Sequence, residues 1–345
     1  LGHDATYILI AVILLSAVFS YSNGFQDGST VSASVIGSRA LTPKQAVLLV
    51  SIFEFAGALL GGSAVASTVK SIAHFPDNPD VLVWLACAMT AAISWNYLTK
   101  QLGFPSSSTH ALVGGLLGAV IAAGGGTKLI IWGEYRHLVD ATGLAKVIVS
   151  LFLSPVVGFI AGYLTFKLTM LLLLKASTRV NKWLKLAQIP ALSLVAFGHG
   201  ANDTQKVMGV ALLSLNSFGM QVTTVPLWVR ILTASAMILG IASLAPRIVR
   251  KVGTDIFRLR PVHGFVTQAA AAAVLVYAST TGGPVSASQV ITSSVMGVGT
   301  AERKKGVHWL VAREMLIAWF ITIPGAALGS AAMYYAFFSP FTKML

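Results

Sequence analysis

Charged residues are absent from this chain over long, recurrent intervals, and that absence constrains the fold more than any other feature. No Asp, Glu, Lys or Arg occurs in 5–26, 55–69, 81–99, 101–127, 147–166, 186–202, 207–229, 231–246, 261–301 or 315–342. A helix that crosses a bilayer takes about 20 mostly apolar residues. The intervals therefore supply about ten crossings, with room for more in the two longest. They are apolar all round rather than striped, as helices in lipid or inside a bundle are. Composition agrees: charged residues make up 10% of the chain and apolar ones 55%. A soluble fold of this length could not hide so much apolar side chain from water. The N-terminal run lacks the basic flank of a secretion signal, so a retained span is expected. A single cysteine, Cys87, excludes a disulfide framework or a Cys-rich metal site.

The few charges are lopsided, with 24 Lys and Arg against 11 Asp and Glu. With ten crossings and an outside N-terminus, sixteen of the basic residues fall in the inside loops around 39–44, Lys100, 175–185, 247–260 and 303–313. Five fall outside: Lys70, Lys128, Arg136, Lys146 and Lys343. Basic residues favour the cytoplasmic side, so both termini are expected outside a cell (inner or cytoplasmic) membrane. The same bias accounts for the net charge of +13 without nucleic acid. Lys167, Lys206 and Arg230 are left within spans.

The chain also matches itself. Asn23-Gly-Phe-Gln-Asp-Gly-Ser-Thr-Val31 aligns with His199-Gly-Ala-Asn-Asp-Thr-Gln-Lys-Val207 at an offset of 176. Gly103-Phe-Pro-Ser-Ser-Ser-Thr-His110 aligns with Gly282-Gly-Pro-Val-Ser-Ala-Ser-Gln289 at an offset of 179. Further on, Pro155-Val-Val-Gly resembles the segment starting at Pro324. An odd number of crossings per half would invert the second half against the first, the plan of inverted-repeat transporters. The expected fold is an all-α polytopic membrane protein with ten to twelve transmembrane helices, including broken helices and re-entrant hairpins. Its expected parts are an N-terminal repeat over 1–175, a basic cytoplasmic linker over 176–189 and a C-terminal repeat over 190–345.

The repeated motifs carry the chemistry. Asp27 and Asp203 each lie in an apolar span, where a carboxylate costs about 2.5–3.5 kcal/mol and persists at a polar cavity or beside a cation. Neighbouring Gly24, Gly28 and Gly200 are expected to unwind the helices there, exposing carbonyls to a cation such as Na⁺. The bland alternative is a helix cap, because Asn and Asp cap helices well. Pro105 and Pro284 are expected in the first turns of two helices. The following hydroxyls would then join free backbone N–H groups and the positive dipole end, a combination that binds an oxyanion without arginine. Here the bland alternative is that Ser and Thr bond their own or neighbouring helices. Glu54 and Arg230 align at the first offset and are expected as a structural charge pair. Lys206 is expected as a partner of Asp203. No Walker loop, His-Glu-x-x-His motif or hydrolytic triad is present, so enzymatic turnover is not expected.

These motifs resemble the inorganic phosphate transporter family, the sodium- or proton-coupled phosphate symporters, and specifically its bacterial members. The family's duplicated Gly-Ala-Asn-Asp motif matches 23–27 and 199–206, and its Gly-x-Pro-x-Ser-Thr-Thr-His motif matches 103–110 and, less closely, 282–289. The resemblance implies a secondary symporter that imports inorganic phosphate with a cation, with no cofactor and a homodimeric state. It implies cation contacts from Asn23, Asp27, Asn202 and Asp203. It implies phosphate contacts from Ser107, Ser108, Thr109, Ser286 and Ser288, with Gln26 and Gln205 closing the site. Gln26 and Gln289 stand where the family has His, which removes two groups able to titrate near neutrality and favours Na⁺ over H⁺. A proton-coupled symporter, a metal–phosphate symporter and a carrier of another oxyanion such as sulfate are the alternatives.

Overall fold

Apolar runs punctuated by Gly and Pro become helices throughout the computed structural model, which describes residues 2–76, 78–134 and 141–338. Arg136 and Lys343 of the loop-charge reading lie outside the described residues. In chain order the helices are α1 (Gly2–Gly37), α2 (Pro43–Leu60), α3 (Ala64–Lys70), α4 (Asp80–Leu102), α5 (Ser108–Val120), α6 (Gly143–Leu172) and α7 (Val180–His199). They continue with α8 (Gln205–Ser217), α9 (Leu227–Ala242), α10 (Pro246–Arg250), α11 (Pro261–Thr281), α12 (Ala287–Arg303) and α13 (Trp309–Met333). No strand forms among the described residues; one isolated bridge joins Ala73 and Ile130.

Among the described residues six helices are long and apolar enough to cross a bilayer, and α9 meets α10 and the turn after it at a 71° bend, which makes up to seven if that pair is one span. The remaining charge-free sequence falls in shorter helices and in α7, whose 20 residues include Lys182 and Lys185. With 13 and 17 residues, α5 and α12 reach about 20–26 Å, short of a full hydrocarbon core. Each follows a longer helix through a glycine. Gly103 ends α4 at φ 70°, and Gly282 ends α11 at φ 69°. Only glycine adopts that left-handed conformation without a Cβ penalty.

The helix breaks are not where the sequence suggested. α1 runs unbroken through Asn23 and Asp27. In the other half a five-residue π-helical stretch, Gly200–Thr204, joins α7 to α8 without ending the helix. Gly24 and Gly200 serve close approach instead. A Cβ on Gly24 would lie 2.1 Å from the Met237 carbonyl oxygen, and one on Gly200 would lie 2.1 Å from that of Glu54. Small residues let membrane helices meet backbone to backbone, which is the physical use of both positions. The expected linker at 176–189 is also mostly helix, because α7 begins at Val180.

The two sequence halves interlock. α1 packs on α9 and α2 on α7, while α5 packs on α13 and α6 on α12. Pro155 lies inside α6 and Pro324 inside α13, so the third sequence match also falls at like positions. Large apolar side chains on the outer faces, such as Leu164, Leu172, Leu239 and Leu328, are well exposed. The inner faces bury polar groups: Ser, Thr, Asn, Gln, two Asp, Glu54 and Lys206. That arrangement inverts the soluble pattern and is the one lipid imposes.

Candidate functional site

The polar interior converges where α1, the π stretch before α8, and the starts of α5 and α12 meet. Both short helices begin alike. Ser107 caps α5 by accepting from the His110 backbone N–H at 3.2 Å, and Ser286 caps α12 by accepting from that of Gln289 at 3.4 Å. Each start adds the positive end of a helix dipole. Pro105 and Pro284 lie two residues before the caps rather than in the first turns, so the serines, not the prolines, set the helix starts.

Repeat-related residues make repeat-related bonds. Gln26 donates to the Phe104 carbonyl at 2.9 Å, and Asn202 donates to the Gly283 carbonyl at 2.9 Å. Ser29 accepts from the Ala245 N–H just before α10, and Gln205 accepts from the Val65 N–H in α3. The two carboxylates sit close together. Asp27, His199 and Asp203 each offer an atom within 4.8 Å of the others.

Around Asp27, Ser108 donates to Oδ2 at 2.5 Å and also lies 3.0 Å from the Asn23 Oδ1 oxygen. Around Asp203 the partners are more numerous. Lys206 Nζ lies 2.6 Å from Oδ1, His199 Nε2 lies 3.3 Å from Oδ2, and Asn23 donates to Oδ2 at 3.4 Å. Lys206 also donates to Thr109 Oγ1 and to the Val285 carbonyl, both at 2.6 Å. Ser288 donates to the Ser106 carbonyl at 3.1 Å and lies 3.1 Å from the Ser286 hydroxyl. The structure thus brings Asn23, Asp27, Asp203, Ser108 and Thr109 into one hydrogen-bonded cluster. Gln26, Asn202, Ser286 and Ser288 flank it.

Two expectations are corrected. Glu54 and Arg230 have different partners: Glu54 Oε1 lies 2.8 Å from His199 Nδ1, and Arg230 donates to the carbonyls of Leu59 at 3.1 Å and Val225 at 3.3 Å. The shared offset marks equivalent positions in two halves, which need not touch. Gln205 turns away from the cluster. It accepts from Val65 N–H at 3.0 Å and donates to the Gly61 carbonyl at 2.7 Å, so its amide ties down the α2–α3 corner.

Sequence reasoning missed His199 as the link between Glu54 and Asp203, and Ser106 as an acceptor for Gln26. The first had a signal, since His199 and Asp203 are four apart and share a helix face. The second had none.

None of the expected phosphate contacts is more than 2% exposed. A cavity of about 160 Å³ between α6 and α11 borders the site at Gly283 and Val285, with Lys146 and Tyr277 at its rim. The site itself is closed, and access requires helices to move.

The model described as the phosphate transporter family matches residues 23–330. A Bacillus subtilis relative with the name "Probable low-affinity inorganic phosphate transporter" is 33% identical over 331 residues, covering 95% of this chain and 96% of its own. A Rhizobium meliloti relative of the same name is 35% identical over 341 residues, covering 96% and 98%. A solved structure described as the sodium-dependent phosphate transporter matches with a TM-score of 0.85 at 25% identity, covering 98% of this chain and all of that one.

Proposed function

The chain belongs to the phosphate transporter family, a family of multi-pass membrane transporters rather than enzymes, and from that premise we propose a sodium-coupled symporter that imports inorganic phosphate. One observation carries the reading. Two serine-capped helix starts converge on two buried carboxylates, Asp27 and Asp203. The helix starts suit an oxyanion, and the carboxylates suit a cation.

Ser108 supplies the coupling. A hydroxyl has one proton to donate, and Ser108 donates it towards Asp27 at 2.5 Å. A sodium ion on Asp27 neutralises that carboxylate and takes the place of the serine hydrogen bond. The Ser108 proton is then free for a phosphate oxygen at the start of α5. Thr109, Ser286 and Ser288 complete the anion's surroundings, with Asn23 and Asn202 beside the cation. Cation and anion together cost less at membrane depth than either alone. Alternating access follows from rocking of the two interlocked halves, read as inverted repeats. In this reading both termini face outside the cell membrane, and two chains form a homodimer.

A second reading is a proton- or metal–phosphate symporter, favoured by the proximity of Asp27, His199 and Asp203. Radiolabelled phosphate uptake into proteoliposomes separates the two. The sodium reading expects uptake under an inward Na⁺ gradient without a pH gradient or divalent metal, and weak competition by sulfate. Uptake driven by a pH gradient in the absence of Na⁺ would reject it.

A further inference from the structure

The two halves treat their carboxylates differently. The offset that pairs Asp27 with Asp203 also pairs Thr30 with Lys206. Thr30 bonds back to its own helix, donating to the Gln26 carbonyl at 3.5 Å. Lys206 reaches into the site instead, and is 2% exposed. Its ammonium has three donors. They meet the Asp203 carboxylate, the Thr109 hydroxyl and the Val285 carbonyl, each at 2.6 Å. Carboxylate, hydroxyl and carbonyl oxygens are the hard ligands that a transporter offers a coupling cation at a helix interruption. The Lys206 ammonium therefore stands where a cation would stand.

Among the described residues Asp27 makes no ion pair of its own, although His199 lies within 4.8 Å of it. Its Oδ1 is buried without a hydrogen bond, as are Gln26 Oε1 and Asn202 Oδ1. Its other oxygen takes a serine hydroxyl alone. Asp203 is matched by Lys206 and His199 together, with Asn23 beside them. An acceptor buried without a donor is costly, and a buried carboxylate without a cation costlier still. The unmet demand for positive charge thus falls on one half.

We propose that Lys206 is a built-in cation that permanently fills the second half's cation position, so that a single exogenous sodium ion, held at Asp27, accompanies each phosphate. The proposal rests on the sodium-symport reading above and adds the count and its cause. A repeat-symmetric carrier would bind two such ions. This chain replaces one of them with a side chain that cannot leave. The energy available to concentrate phosphate is reduced accordingly, because one ion gradient step is drawn on instead of two.

Equilibrium binding of ²²Na⁺ to the purified full-length protein in detergent, at saturating phosphate, tests the count. The wild type is expected to bind one Na⁺ per chain, with a Hill coefficient near 1 for Na⁺ in proteoliposome uptake. Lys206→Met is expected to bind two, and Lys206→Arg one. If Lys206→Met does not elute as a monodisperse protein, the neutral pair Asp203→Asn with Lys206→Met replaces it, with an expected count of one. Two ions on the wild type, or one on a well-folded Lys206→Met, would overturn the assignment of Lys206. A wild type that binds no Na⁺ and takes up phosphate without it would instead reject the sodium reading, and the Lys206 assignment with it.

Discussion

His110 and Gln289 occupy equivalent positions in the two halves, and their side chains meet at 3.4 Å, Gln289 Nε2 to His110 Nε2. Residues paired by the sequence offset thus come together where the two halves of the chain pack on each other. Asp27 and Asp203 form a second such pair, within 4.8 Å. The candidate site lies where the halves meet, so any relative motion between them acts on it directly.

His110 makes its other ring contact with the Trp319 carbonyl at 3.1 Å. That arrangement packs the ring without bringing it to either carboxylate. His110→Gln is expected to retain sodium-driven phosphate uptake within about threefold, with a stability loss near 1 kcal/mol for one hydrogen bond. Uptake assays and thermal unfolding in detergent check both numbers. Loss of uptake in a variant of normal stability would show that the imidazole takes part in transport.

Glu54 and His199 form a buried link between α2 and α7, with both side chains inaccessible to solvent. Removing one partner of such a pair costs about 3–5 kcal/mol, because the other is left unmatched. Glu54→Ala should therefore unfold at clearly lower temperature than the wild type. Glu54→Ala combined with His199→Ala should cost less than the sum of the two single changes. Exchanging Glu54 and Arg230 should not rescue either single change, because they do not bond each other. Thermal unfolding of the wild type, the two Ala variants and their double, and of the Glu54–Arg230 exchange with its two single changes, measures all of this.

Close backbone approach makes Gly24 and Gly200 intolerant of any side chain. Ala at either position places Cβ at 2.1 Å from a carbonyl oxygen and must push two helices apart. Expected results are poor yield, early unfolding and lost uptake. Gly283→Ala is the control. Its nearest contact would be the Ser150 hydroxyl at 3.4 Å, an ordinary separation, so yield and Tm should stay close to the wild type.

These glycines also show how far the sequence could be read. The charge-free intervals gave the helical membrane class because lipid excludes charge, and that rule needs no tertiary information. The repeat offsets paired Gly103 with Gly282 and Pro105 with Pro284, and like helix starts do follow both, but at serine caps two residues beyond the prolines rather than at the prolines. The motifs misled at Gly24 and Gly28, where glycine beside Asn and Asp looked like a break. Whether a glycine ends a helix or admits a neighbour depends on what packs against it, and here Met237 and Ile241 of α9 do. The same limit applied to Glu54, whose partner was set by the crossing of α2 over α7 rather than by repeat position. Gln205 looked like a site residue by motif, but its amide is spent on the 61–65 corner.

Ser108 has no counterpart hydroxyl in the second half, where Ala287 stands. Its bond to Asp27 makes it the one hydroxyl at the site that contacts that carboxylate among the described residues. Ser108→Ala is expected to weaken phosphate binding about 10- to 100-fold, as loss of a hydrogen bond to a charged group does. It should also flatten the dependence of phosphate affinity on Na⁺. Equilibrium dialysis with ³²P-phosphate at several Na⁺ concentrations reads both effects. Unchanged affinity would remove Ser108 from the site.

Coupling between cation and anion at Asp27 is the centre of the account, and linkage makes it measurable without transport. Phosphate affinity of the purified protein should rise at least tenfold between zero and saturating Na⁺. The same titration on Asp27→Asn should show one weak affinity at both limits. A wild type whose phosphate affinity ignores Na⁺, or an Asp27→Asn variant that retains the full Na⁺ response, would contradict it.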